Sequence, residues 1–107
     1  MGGCDRGNGQ VFELRFTAEA RGDLKALRKH EQAEVLGAVE TQLIHEPTSE
    51  TRNRKRLRPN ETADWELRAG NLRVLYNVDQ GSRLVRIEAI GIKVGNHLLI
   101  RGRRTQL

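Results

Sequence analysis

One stretch constrains the fold more than any other: WELRAGNLRVLYNVD, residues 65–79, in which apolar and polar residues alternate on both sides of Gly70-Asn71. A period of two predicts β-strands. Glycine and asparagine both accept the positive φ that tight hairpin turns require. The stretch therefore predicts a β-hairpin with its aromatic and branched side chains in a core, and with a charged opposite face that carries Glu66, Arg68, Arg73 and Asn77.

The segment before this hairpin predicts a strand followed by two helices. VFELRF, residues 11–16, alternates as a half-buried strand does. Thr17 is placed to cap a helix that runs to about Lys29. After a break near His30 and Glu31, a second amphipathic helix continues until Pro47 stops it. Its predicted buried residues are Val35, Leu36, Val39, Leu43 and Ile44.

A polar segment, residues 48–64, joins the second helix to the hairpin and contains the basic run RNRKRLR. We interpret it as a charged loop. A run of this kind is as often a solvated surface as a functional one. In the functional interpretation, Arg54, Lys55, Arg56 and Arg58 contact phosphates without regard to base sequence.

The last part of the chain predicts further strands. RLVRIEAIGI, residues 83–92, places Val85, Ile87 and Ala89 on one face, and residues 98–100 form a short edge strand after a glycine-rich loop. The predicted fold is α+β: an N-terminal strand, a two-helix hairpin, then an antiparallel meander of three to four strands. Residues 1–10 are expected to be a disordered leader, 11–101 a single domain and 102–107 a basic tail.

The composition restricts the classes of partner that the protein can bind. The chain has 107 residues, with 19 Lys and Arg against 14 Asp and Glu, a net charge of +5 and a pI near 10.1, which favours a polyanionic partner. A lone Cys4 excludes an internal disulfide and a cysteine-rich zinc site, and fits a reducing cytoplasm. No apolar run is long enough for a membrane span. We expect no metal, no cofactor and no membrane partner.

Four segments in this order resemble the RelE/ParE superfamily of bacterial type II toxin-antitoxin toxins. They are FTAEARGDLKAL, the basic run ending in RKRLR, ELRAGNLRVLYNVD, and the closing strand with IGIKVGN. The resemblance covers about residues 11–101. It implies a toxin held inactive by a cognate antitoxin.

Two activities are known in that superfamily, and the resemblance implies different residues for each. Members similar to RelE cleave messenger RNA on the ribosome without a metal, whereas members similar to ParE poison DNA gyrase. By resemblance, Arg73 lies against the scissile phosphate and Lys93 helps to hold it. Asp64, Glu66 and Leu99 stand where the RelE branch has lysines and a tyrosine.

Other nuclease branches use a glutamate and a histidine, so Glu66 and His97 are candidates for the base and the acid. For Glu66 the alternative is a cross-strand salt bridge, and for His97 a solvated loop residue. The expected function is a ribosome-associated messenger RNA endoribonuclease that inhibits translation. The alternatives are a gyrase inhibitor and an inactive relative that binds only RNA or antitoxin. The candidate catalytic residues are Arg73, Lys93, His97 and Glu66, and the candidate RNA-binding residues are Arg54, Lys55, Arg56, Arg58, Arg68 and Asn96.

Overall fold

The computed structural model describes residues 11–105, which form seven strands and two helices. The predicted α+β order of a strand, two helices and an antiparallel sheet is confirmed. The elements are β1 (Glu13–Phe16), α1 (Ala18–Ala26), α2 (Lys29–Leu43), β2 (Arg54–Arg56), β3 (Trp65–Ala69), β4 (Leu72–Asp79), β5 (Leu84–Val94), β6 (His97–Ile100) and β7 (Arg103–Thr105).

A single sheet carries all seven strands. Six of them follow the antiparallel path β2-β3-β4-β5-β6-β7, which is longer than the predicted three to four strands. β1 pairs in parallel with the first half of β5, and β6 pairs with its second half. The helices cover one face of the sheet and enclose the main core there. We call this the helix face and the opposite one the outer face.

The central hairpin forms as its alternation predicts. Trp65 lies opposite Tyr76, and their rings stack with centroids 6.2 Å apart on the helix face. Gly70 adopts φ +62°, whereas Asn71 does not adopt a positive φ. One glycine at the first turn position is therefore enough to close the hairpin.

The two helices are divided three residues earlier than predicted. Thr17 caps α1 as expected, because its Oγ1 accepts a hydrogen bond from the amide of Ala20 at 3.1 Å. The break falls at Leu27 and Arg28, where the backbone is extended. There the Glu31 carboxylate accepts a hydrogen bond from the backbone amide of Arg28 at 3.0 Å. This bond satisfies an amide donor at the start of α2 that has no partner within the helix.

The buried stripe of α2 is narrower than predicted. Val35, Val39 and Leu43 are fully buried, but Leu36 is 38% exposed. Successive side chains point about 100° apart around the helix axis, so Leu36 lies to one side of the buried stripe that contains Val35.

Tyr76 ties the sheet to the loop after α2. Its buried hydroxyl donates to the carbonyl oxygen of Pro47 at 2.6 Å, and burial raises the pKa of the Tyr76 phenol above its ordinary value. We expect Tyr76→Phe to lower the free energy of unfolding by about 1–3 kcal/mol, because the buried carbonyl loses its donor. Urea denaturation at neutral pH measures this difference. An unchanged midpoint would show that water replaces the phenol.

A β-bulge interrupts β5. Leu75 pairs with Ala89 and Tyr76 with Ile87, so Glu88 has no partner on β4. The extra residue reverses the alternation of β5. Val85 and Ile87 lie on the helix face, but Ala89 joins Leu75, Leu98 and Ile100 in a small apolar cluster on the outer face. The prediction that Ala89 shares a face with Val85 and Ile87 was therefore wrong.

Two segments predicted without strands contain them. Arg54–Arg56 of the basic run pairs with β3 as β2, and Arg103–Thr105 of the predicted tail pairs with β6 as β7. The predicted leader, residues 1–10, lies outside the described residues, as do residues 106–107. No helix in the described part of the chain is both long and apolar enough to cross a membrane.

Candidate functional site

The outer face of the sheet holds a polar cavity of about 350 Å³. We call it the cationic cavity, because four basic side chains and one carboxylate line it, which gives a net charge of +3 (four minus one). The lining residues are Lys55, Leu57, Glu66, Arg68, Arg73, Lys93, Asn96, Leu98 and Thr105.

The strand registers bring these residues together from distant parts of the chain. Lys55 lies opposite Glu66, and Arg68 lies opposite Arg73. Lys93 lies opposite Leu98, on the outer face that the bulge of β5 assigns to it. Cross-strand neighbours share one face of a sheet, so the charges form adjacent rows.

Gly91 lets the strands approach closely beside the central arginine. It lies opposite Arg73, and a Cβ atom at this position would be 2.8 Å from the carbonyl oxygen of Leu99 and 3.0 Å from side-chain carbons of Leu98 and Ile100. Any larger residue would push β6 away from β5 or intrude into the cavity.

Within the described residues, the Arg73 guanidinium has hydrogen-bond acceptors on one side only. It is only 7% exposed, and its Nη1 donates to the carbonyl oxygens of Gly70 at 2.8 Å and Leu72 at 2.9 Å. No atom within residues 11–105 accepts a hydrogen bond from its Nε or Nη2. These two nitrogens present parallel N–H groups, a fork that matches two oxygens of a phosphate.

The charges around Arg73 are unfavourable without an anion. Burial lowers the pKa of the Arg73 guanidinium, the Arg68 charge lowers it further, and Glu66 opposes the shift. A guanidinium stays protonated at neutral pH, so the group remains as a desolvated cation beside a like charge. A bound anion would relieve both costs.

Arg68 and Arg73 lie directly opposite each other on β3 and β4, and both carry a positive charge. Like charges directly opposite on a sheet are destabilising by about 0.2–1 kcal/mol. We expect Arg68→Gln to raise the free energy of unfolding by that amount. Urea denaturation at neutral pH measures the difference. A less stable variant would contradict the proposed repulsion.

Comparison with known proteins places this fold in a family. The chain is similar to a chain of the toxin-antitoxin complex RelBE2 from Mycobacterium tuberculosis, with 30% identity and a TM-score of 0.67, over 78% of this chain and 99% of that one. This chain belongs to the RelE family of toxins.

A second solved structure has the same RelE fold. It is the RelE-RelB complex from the archaeon Pyrococcus horikoshii, with 17% identity and a TM-score of 0.63, over 80% of this chain and 98% of that one. No family model and no curated protein sequence matches this RelE-family chain.

In this RelE-family chain, β2 divides the predicted RNA-binding basic residues between two faces. Lys55 points to the cationic cavity, while Arg54 and Arg56 on either side of it point to the helix face. The Arg56 guanidinium lies 5.7 Å from the centre of the buried Trp65 ring. Arg58 is exposed beyond the end of β2 and does not line the cavity.

Arg54 is not available to bind RNA, which corrects the prediction. It is 8% exposed, its Nε donates to the Ser49 carbonyl at 2.8 Å, and its Nη1 donates to the carbonyl and side-chain oxygens of Gln42 at 2.7 and 3.2 Å. The guanidinium joins the end of α2 to the loop that follows it. The prediction failed because β2 was interpreted as a loop, in which no side chain need point inward.

One further candidate, His97, and the departure from the RelE pattern at Leu99 lie outside the cationic cavity of this RelE-family toxin. His97 pairs with Val94 and lines a smaller neighbouring cavity of about 320 Å³ with Arg104. Leu99 lines a groove beside α1 on the helix face, so its identity does not alter the cationic cavity. Asn96 lines both the cationic cavity and the smaller neighbouring one.

The structure brings the other candidates together in the cationic cavity: Lys55, Glu66, Arg68, Arg73 and Lys93. Glu66 lies in the cavity, and no Lys or Arg nitrogen within residues 11–105 approaches its carboxylate closely enough for an ion pair. Asp64, one residue before β3, is exposed and does not line the cavity. Thr105 and Leu98 line it as well, although no sequence signal marked them. The described residues contain no cluster of three or more His, Cys, Asp or Glu side chains able to hold a metal.

Proposed function

We propose that this RelE-family toxin is an endoribonuclease that cuts messenger RNA on the ribosome through the 2′-hydroxyl of the substrate. The observation that carries the proposal is the free Nε and Nη2 edge of Arg73 in the cationic cavity. A buried guanidinium fixed by two carbonyls and left open on its other edge is pre-organised for a phosphate.

The cavity contains the groups that this reaction needs. Attack by the 2′-hydroxyl requires a base, cations around the pentavalent phosphorane, and a donor to the departing 5′-oxygen. Glu66 is the only carboxylate among the lining residues, so we assign it the base. Arg73 holds the phosphorane oxygens. The Lys93 ammonium donates to the departing oxygen, since lysine offers three donors and no acceptor.

The other lining residues would bind the rest of the RNA. Lys55 and Arg68 lie beside Glu66 and Arg73 and would contact neighbouring phosphates, which makes binding weaken as salt rises. The Asn96 amide at the rim has both a donor and an acceptor for a base edge. The metal-free mechanism uses these side chains alone.

We further propose that a cognate antitoxin covers the cationic cavity. Both solved relatives were determined as complexes of toxin and antitoxin. A cavity with a net charge of +3 favours an acidic antitoxin segment, which would neutralise the cations and exclude RNA at the same time.

Primer extension on ribosome-bound messages after induced expression tests the nuclease. We expect discrete cuts in the codon at the ribosomal A site, and no cuts from a Glu66→Gln variant, which keeps the side-chain shape but removes the base. Gyrase-linked DNA breaks without RNA cuts would overturn the proposal in favour of a gyrase inhibitor. Growth arrest without either lesion would leave RNA or antitoxin binding as the function.

A further inference from the structure

Asp23 on α1 is a buried carboxylate outside the cationic cavity. Its side chain is 6% exposed. Its Oδ2 accepts the backbone amide of Ile90 at 3.1 Å, and its Oδ1 lies 3.0 Å from Nε of Arg101. One carboxylate therefore joins α1 both to the middle of β5 and to the turn between β6 and β7.

The contact with Ile90 lies two residues after the bulge of β5. Glu88 is the extra residue, and Thr17 at the start of α1 donates from Oγ1 to its carbonyl oxygen at 3.3 Å. Thr17 and Asp23 thus fix the β5 backbone on both sides of Ala89. The bulge decides which face the following residues occupy, and without it Lys93 would point to the helix face.

The contact with Arg101 stabilises an unusual turn. Arg101 has φ +54° and Gly102 has φ +77°. A two-residue turn with positive φ at both positions usually carries Asn, Asp or Gly, and arginine is disfavoured there. The ion pair to Asp23 offsets this strain. The turn joins β6 and β7, whose Leu98 and Thr105 form one wall of the cavity.

We propose that Asp23 is a positioning residue for the cationic cavity: it holds the bulge of β5 and the β6–β7 turn, and so keeps Lys93 on the same face as Arg73. The catalytic part of this inference rests on the proposed ribonuclease function. Asp23 itself does not touch RNA. It acts through the backbone of Ile90 and through Arg101.

Single-turnover cleavage of ribosome-bound message tests the role in catalysis. We expect Asp23→Asn to slow cleavage by roughly 10–100-fold, because displacing a reacting group by about 1 Å can cost about a hundredfold. The dissociation constant for a short RNA methylated at every 2′-oxygen should change less than the rate. In protein that already carries Lys93→Ala, adding Asp23→Asn should not lower the cleavage rate further. If Asp23→Asn lowers the rate by the same factor in the wild type and in Lys93→Ala, the proposal is overturned.

A structural measurement separates this inference from the nuclease proposal. In the wild type, NMR should show contacts between the Lys93 side chain and the methyl groups of Leu98, its cross-strand neighbour. We expect Asp23→Asn and Asp23→Ala to weaken them. Arg54→Ala is a destabilised control on β2, which β3 and β4 separate from β5, and it should preserve them. If wild-type protein cleaves no RNA but these contacts respond as expected, positioning stands and the nuclease proposal fails. If they persist in both Asp23 variants, positioning fails.

Discussion

Replacing Arg73 with alanine is expected to slow cleavage of ribosome-bound messenger RNA by about 10²–10³, the usual cost of removing one preorganised donor to a developing oxyanion. The reason is geometric. Carbonyl oxygens of Gly70 and Leu72 fix one end of the guanidinium, so in the proposed mechanism the other end binds the phosphate without reorganisation. Single-turnover cleavage with excess toxin measures the effect.

Two variants control for charge and for geometry. Arg86→Ala removes a positive charge from an exposed residue outside the cavity, so it should leave the cleavage rate within about twofold. Arg73→Lys keeps the charge, but a single ammonium cannot bind both carbonyls and also present a two-pronged fork, so it should recover only part of the rate. Full activity in Arg73→Ala would remove this residue from the mechanism, and full activity in Arg73→Lys would show that its charge suffices without the fork.

Replacing Arg54 with alanine is expected to lower the free energy of unfolding by about 2–4 kcal/mol, because the carbonyls of Gln42 and Ser49 lose a charged donor in a buried site. For a domain of this size the melting temperature would fall by roughly 10–25 °C. Chemical and thermal denaturation measure both quantities. A loss below about 0.5 kcal/mol would mean that water replaces the guanidinium.

Lys55, the next residue of the same strand, is the matched control. Its side chain lines the cavity and is exposed, so Lys55→Ala should change stability by less than about 0.5 kcal/mol. The same variant should lower the salt slope of RNA binding by about one, whereas folded Arg54→Ala should not. The reverse pattern would show that β2 presents its other face to RNA.

Sequence patterns correctly predicted the parts of the fold that depend on residues close together in the chain. The alternation around Gly70 predicted the β3–β4 hairpin and its two faces, and Thr17 marked the start of α1. Arg68, Arg73 and Glu66 were placed correctly on the outer face because a two-residue turn fixes the register of the hairpin.

The bulge of β5 was missed, although the sequence carries a trace of it. The large branched residues change phase, from Val85 and Ile87 to Ile90 and Ile92, but Ala89 continues the first phase and conceals the shift. Lys93 was assigned to the site by resemblance, and the bulge is the physical reason that it reaches the cavity.

Pairing between distant segments explains the other misses. β2 and β7 have three residues each and are mostly basic, so neither shows an apolar period, and only pairing with β3 and β6 makes them strands. The burial of Arg54 follows from that pairing. His97 was expected in the site but does not line the cationic cavity, because the register of β6 decides which of its side chains face that cavity.

The most direct test is an NMR titration that observes the Nε–H group of Arg73 while adding a short RNA whose 2′-oxygens are all methylated, so that it binds without being cut. We expect the Arg73 signal to shift and to exchange more slowly with water at saturation, while the Arg86 signal does not move. An unchanged Arg73 signal with RNA fully bound would contradict the claim that its open edge holds the phosphate.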